Sequence, residues 1–149
     1  MWYVFIMNTI TIQIIVNAPL EKVWKYWNEP EHITKWAFAS DDWEALNATN
    51  DLTVGGKFST TMAAKDKSTS FDFGGTYTNI IPNKLIEYSM SNDPAEESAR
   101  KVSISFSSPT QETTKIIETF DPETENPEEM QRAGWQAILE NFKKYTEDN

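Results

Sequence analysis

Between Asn17 and Trp36 the chain reads Asn-Ala-Pro-Leu-Glu-Lys-Val-Trp-Lys-Tyr-Trp-Asn-Glu-Pro-Glu-His-Ile-Thr-Lys-Trp, and this stretch leaves little freedom in how the first third can fold. Pro19 and Pro30 each stand where a first helical turn accepts proline, since the missing N–H has no intrahelical partner there and the ring already fixes a helical φ. Glu21 and Glu31 add first-turn negative charge, which the helix dipole favours by ~0.3–1 kcal/mol per charge. Leu20, Val23, Trp24 and Trp27 recur at spacings of three and four, while Glu21, Lys22 and Lys25 fall mainly on the other side. The pattern predicts two short helices, the first with one buried and one wet face. Trp24 and Trp27 read as core packing. Trp36, ending the shorter helix, is placed at the mouth of a pocket.

The rest of the chain alternates in the manner of strands. Thr9 to Val16 is a strand leading into the helical pair, and Trp43 to Leu46 is a short one after it. Gly55-Gly56 predicts a bulge or tight bend before Phe58, Thr60 and Met62, which share one strand face. Lys65-Asp66-Lys67-Ser68 is a polar turn, Ser70 to Ile81 a long strand closed by Pro82-Asn83, and Leu85 to Ser91 the next strand. Asn92 to Lys101, with three acids and a proline, reads as an exposed connection. Val102, Ile104 and Phe106 alternate against serines, Ser108-Pro109-Thr110-Gln111 is a turn, and Thr113 to Phe120 is the last strand. Asn126 as a cap, Pro127 at the first helical position and Glu128-Glu129 then open a long amphipathic helix through Tyr145. Gly134 costs that helix ~1 kcal/mol of propensity. It is read as permitting close packing or leaving room over a cavity.

At 149 residues the length suits one domain. Residues 8–147 are assigned to it, and residues 1–7 to an apolar N-terminal extension or a mis-assigned start. That segment is far shorter than the ~20 residues of a membrane helix and lacks the basic region of a signal peptide. A cytoplasmic location is expected. With no cysteine, disulfides and thiolate metal sites are excluded. Thirteen basic against twenty-three acidic residues give a net charge of −10, which opposes nucleic acid and anionic membranes as partners.

The order of strand, two short helices, six antiparallel strands and a long C-terminal helix resembles the helix-grip fold of the START-like, or SRPBCC, superfamily, an α+β fold also called Bet v 1-like. Several segments resemble its branch named after activators of the heat-shock-protein-90 ATPase: Ala18-Pro19 with Val23-Trp24, Pro30-Glu31 with Trp36, Asp51-Leu52 with Val54-Gly55-Gly56 and Phe58, Gly75-Thr76-Tyr77 with Ile80 and Pro82, Leu85-Ile86, and Gly134-Trp135 with Leu139. The match runs nearly throughout from Asn8 to Thr146. Tyr77 departs from it, standing where a small aliphatic residue is commoner. The resemblance implies a curved sheet wrapped around the last helix with a cavity between them. Relatives include lipid carriers, hormone-binding proteins, polyketide cyclases and chaperone activators, so fold alone does not select a function. The separate N-terminal domain of the eukaryotic co-chaperones has no counterpart here, which argues against their role.

No nucleophile elbow, phosphate loop, zinc helix or dinucleotide fingerprint occurs, and neither a metal nor a cofactor is expected. His32, the one histidine, reads as a surface residue without a partner. Glu118 is the one candidate catalytic acid. If Ile116, Glu118 and Phe120 face inward, its carboxyl enters an apolar cavity, where desolvation raises its pKa and suits it to acid–base work. If Lys115, Ile117 and Thr119 are the inner set, it does not.

The expected function is binding of a small apolar or amphipathic molecule, such as a lipid, steroid or aromatic polyketide, between the sheet and the C-terminal helix. The expected lining is Trp36, Phe38, Phe58, Met62, Phe73, Tyr77, Met90, Phe106 and Trp135. Burying ~400 Å² of apolar surface is worth ~10 kcal/mol at ~25 cal/mol/Å², and association costs at least ~4 kcal/mol, so a ligand of steroid or fatty-acid size is implied. Two alternatives stay open: a cyclase or dehydratase using the inward carboxylate, and a protein-interaction module with a chaperone partner.

Overall fold

The computed structural model describes residues 8–91 and 99–149. The connection expected around Asn92 to Lys101 lies largely outside the described residues, as does the apolar segment 1–7. The elements follow in the order β1 (Ile10–Val16), α1 (Leu20–Asn28), α2 (Pro30–Trp36), β2 (Trp43–Asn50), β3 (Lys57–Ala64), β4 (Ser70–Ile81), β5 (Leu85–Ser89), β6 (Lys101–Thr110), β7 (Thr113–Phe120) and α3 (Glu128–Asp148). The seven strands form one antiparallel sheet in the order β1-β7-β6-β5-β4-β3-β2, so the first strand closes on the last. The sheet curls around α3, which is the helix-grip arrangement.

The period-two patterns set the inner face. Ile10, Ile12, Ile14 and Val16 of β1 are buried while the residues between them are exposed, and Thr114, Ile116, Glu118 and Phe120 of β7 face the same side. α1 and α2 are separate helices because Glu29 between them is extended (φ −79°, ψ 127°), the conformation that a following proline imposes. Pro30 occupies the first turn of α2 as expected. Pro19, by contrast, precedes α1 with ψ 151°, so the first helical residue is Leu20.

Three further local expectations shift. β2 continues to Asn50, beyond Leu46, because β3 pairs with it along its whole length through a bulge between Ala45 and Asn47. β6 runs through Pro109 to Thr110; the register breaks between Ser107 and Thr110, so the proline stands where no ladder N–H is required. Asn126 does not cap α3: its Nδ2 donates to Glu123 Oε1 at 2.5 Å, and Pro127 immediately precedes the helix.

α3 crosses the inner face and reaches the sheet's β1 side with its polar side chains. Arg132 Nη1 donates to the Thr11 carbonyl at 2.9 Å, Gln136 Nε2 to Gln13 at 3.2 Å, and Lys143 Nζ to Ile15 at 2.7 Å. At one end of the sheet, α1 and α2 seal the space under α3 with rings. Trp27 lies 4.8 Å from Trp36 and 4.9 Å from Phe142, and Phe106 meets Trp24 edge-on at 5.2 Å. His32 takes part in this closure. Its Nδ1 pairs with the Tyr145 hydroxyl at 2.7 Å and its ring stacks on Tyr26 at 3.9 Å, correcting the expectation of a partnerless surface residue.

Candidate functional site

Away from that seal the helix and the sheet separate, leaving a cavity of about 570 Å³. Its floor is the concave sheet: Phe58 and Met62 of β3, Phe73 and Tyr77 of β4, Ile86 and Tyr88 of β5, Ile104 of β6 and Glu118 of β7. Its roof is α3, through Met130, Gln131, Trp135 and Ile138, and its closed end is Trp27, Ile33 and Trp36. Phe71 and Met130, both more than half exposed, stand at the open rim. The rings interlock: Phe58 meets Tyr88 edge-on at 4.7 Å, and Phe73 meets Trp135 edge-on at 5.9 Å.

Seven of the nine residues expected to line a cavity are brought together here, namely Trp36, Phe58, Met62, Phe73, Tyr77, Met90 and Trp135. Trp36, however, is only 5% exposed and closes the inner end, so it does not stand at the mouth. Phe38 and Phe106 lie elsewhere. Phe38 follows α2 and lies beside Asp41, Glu140 and Lys144 in a shallow depression outside α3. Phe106 shares the inner face with Ile104, but one step further along β6 it is covered by Trp24 and Trp27. Alternation identified its face and carried no information on where along that face the helices sit.

Glu118 lies on the inner set with Ile116 and Phe120, and it is 5% exposed. Its cross-strand neighbours are Ile12 and Ile104, both buried and apolar. Among the described residues no hydrogen bond or ion pair meets its carboxyl, and burial away from water pushes it up to about 8. Tyr88, 6% exposed, has no hydrogen-bond partner among the described residues either, and its phenol is pushed well up, first by burial and then by the charge of Glu118. Tyr77 differs. Its hydroxyl donates to Asn50 Oδ1 at 2.5 Å, and Asn50 Nδ2 donates in turn to the Asn28 carbonyl at 2.7 Å. That hydroxyl is committed to the frame, leaving the Tyr77 ring to the cavity.

Arg100 is a wall residue that sequence reasoning missed, since it sits in a connection with no periodic signal. Its Nε donates to the Asp121 carbonyl at 2.9 Å. Glu123 also lies on the wall and accepts from the Asn126 backbone N–H at 2.8 Å. Asp72 borders the same space, but its carboxylate accepts from Thr61 at 2.7 Å. On the outside, Glu29, Glu31 and His32 bring three ligand atoms within 4.8 Å of one another, an arrangement common among exposed acidic groups without any ion.

Comparison with known proteins gives a consistent result. A solution structure of Chr148 from Cytophaga hutchinsonii is 56% identical over 95% of this chain and 94% of that one, with a TM-score of 0.77. A solution NMR structure of an AHSA1-like protein from Aeromonas hydrophila is 40% identical over 95% of this chain and 93% of that one, with a TM-score of 0.84. The crystal structure of NE0264 from Nitrosomonas europaea shares the fold at 20% identity, with a TM-score of 0.81 over 97% of both chains. A search of the curated proteins found no match. With residues 17–147 matching the model of the Activator of Hsp90 ATPase homolog 1-like proteins, and with the helix-grip architecture around it, this chain belongs to that family.

Proposed function

We propose that this protein binds a small apolar or amphipathic molecule in the cavity between the sheet and α3. The observation that carries the reading is the cavity itself: about 570 Å³, walled by aromatic and aliphatic side chains, in a helix-grip fold compatible with ligand binding. Pockets of this size and lining are where small ligands bury most of their surface. The proposed contacts are Trp36, Phe58, Met62, Phe73, Tyr77, Met90 and Trp135. The cytoplasmic location belongs to the same proposal. Among the described residues no helix is long and apolar enough to cross a membrane.

A second reading, an enzyme of the cyclase or dehydratase kind, is favoured by Glu118, an unpartnered carboxyl in that cavity whose pKa is pushed up to about 8. A perturbed acid in a cleft suits proton transfer near neutrality. A chaperone partner rests on the family's description alone.

A two-dimensional amide NMR titration against long-chain alcohols, sterols and flavonoid-like aromatics tests the binding reading. Saturable shifts centred on Trp36, Phe58 and Trp135 are expected. Absence of any response, with those residues slow to exchange, sinks it and moves the case to a protein partner. For the enzyme reading, Glu118→Gln should abolish turnover of any ligand found while sparing its binding.

A further inference from the structure

The polar groups of the cavity are unevenly distributed, and this bears on which apolar molecules suit it. Of the two tyrosine hydroxyls on the floor, Tyr77's is committed to Asn50, while Tyr88's has no partner among the described residues. Glu118 is likewise unpartnered and more than nine-tenths buried. A buried polar group without a partner is costly to the folded protein and is ordinarily matched by a water or a ligand. Two such groups on the floor of one cavity form a recognition point among its aromatic and aliphatic side chains.

We infer that Glu118 and Tyr88 receive the amine of an apolar, amine-bearing molecule whose body occupies the aromatic part of the cavity. This rests on the cavity reading above. Three observations favour an amine over an alcohol or an acid. Glu118 supplies the acceptor that an ammonium requires, and no cationic side chain pairs with it. The rings of Phe58, Phe73, Tyr77 and Trp135 line the same cavity, and an aromatic face attracts a cation. Among the remaining charged groups at the wall the acids, Asp72 and Glu123, outnumber the one cation, Arg100, whose charge reaches Tyr88. Arg100 already gives its Nε to the Asp121 carbonyl, Glu123 is acidic, Asp72 borders the same space, and the chain as a whole carries −10. A carboxylate in this space faces two acids and a single guanidinium.

Binding has a proton balance. Near pH 7 the empty cavity holds Glu118 mostly as the neutral acid, because burial raises its pKa. An ammonium ligand converts that acid to a carboxylate, and the carboxyl proton leaves to solvent. The titratable and charged groups that share the cavity with Glu118 are Tyr88 of β5, Tyr77 and Asp72 of β4, Arg100 before β6 and Glu123 after β7; the lining residues of α3 carry no titratable group. Neither tyrosine ionises in this range, since both phenols are pushed upward, so one proton is expected to follow the ligand.

The test uses the full chain and three probes with one tail: decylamine, decanol and decanoate, titrated by calorimetry at pH 7 in two buffers of different ionisation enthalpy. Decylamine is expected to bind tightest, to release close to one proton, and to gain ~tenfold in affinity for each pH unit by which pH rises toward the Glu118 pKa, the slope of a single linked proton. Glu118→Gln, which keeps the shape, should abolish both the proton release and the pH slope. The wild-type release stands as a test even if that variant folds poorly. Decanol or decanoate binding as tightly as the amine, or amine binding without proton release, overturns this inference and leaves the cavity reading intact. Failure of all three to bind overturns both.

Discussion

Trp135 lies flat against Phe120, with ring centroids 3.9 Å apart and 8° between the planes. Phe120 ends β7 fully buried, and Trp135 also meets Phe73 edge-on at 5.9 Å. One indole therefore fixes α3 to the sheet and roofs the cavity. Trp135→Ala is expected to cost about 3 kcal/mol, the lower end of the range for truncating a large buried aromatic, because this ring is only half-buried. A urea titration gives the number. Trp135→Phe should retain most of the stack and most of the stability.

Gly75 and Gly134 should respond to the same substitution with opposite signs. A Cβ on Gly75 would stand 2.2 Å from the Ser89 carbonyl oxygen, which belongs to the β4–β5 ladder and has nowhere to go. Gly75→Ala is expected to destabilise by about 1–3 kcal/mol, the usual range for overpacking. A Cβ on Gly134 meets nothing within 4 Å, so this glycine is not there for close packing. Gly134→Ala should stabilise by ~1 kcal/mol through helix propensity alone. Thermal melts of the two variants beside the parent decide both.

Phe106 separates folding from binding. It is buried under Trp24 and Trp27 and has no surface on the cavity, so Phe106→Ala should lose about 3–5 kcal/mol of stability. Any ligand of the cavity should bind the folded fraction of the variant with an affinity within about twofold of the parent, an order-of-magnitude expectation for a site it does not touch. A large loss of affinity measured well below the melting transition would extend the site into the aromatic seal.

Glu118 makes stability depend on pH in a stated direction. The native protein keeps this carboxyl protonated up to about 8, whereas the unfolded chain releases the proton near the ordinary 4.5. The native state therefore holds more protons between those values. The group's contribution is full below 4.5, declines as pH rises toward 8, and is flat above it. Glu118→Gln lacks the decline, so the variant's stability relative to the parent should rise from pH 5 to pH 8, by an amount on the order of a few kcal/mol. Denaturant midpoints at four pH values measure it, and parallel curves for the two proteins would refute a desolvated carboxyl.

The fold was readable because its signals are local. Ile10, Ile12, Ile14 and Val16 announce an inner face by alternation alone, and the residue before Pro30 is compelled to break one helix into two. The cavity was readable only in part. Parity places Ile104 and Phe106 on the same face, yet which of them meets open space depends on where α1 crosses the sheet, a tertiary fact with no sequence period. The parity of β7 was ambiguous for a similar reason: Ile117 is as apolar as Ile116, and only pairing with β1 and β6 turns Glu118 inward. Arg100 and the His32–Tyr145 pair bring together residues from separate parts of the chain, which no local pattern reveals.

The three side chains by which α3 holds Thr11, Gln13 and Ile15 have a consequence beyond holding the helix in place. Those carbonyls are the outward-facing acceptors of an end strand, the feature through which one sheet recruits another and aggregation begins. Arg132, Gln136 and Lys143 occupy them, the two cations each paired with an acid of α3, Glu129 and Glu147. The helix that roofs the cavity is thus also a guard on the sheet. A ligand large enough to pry α3 away would uncover a template for self-association, which places an upper bound on how far this protein can open.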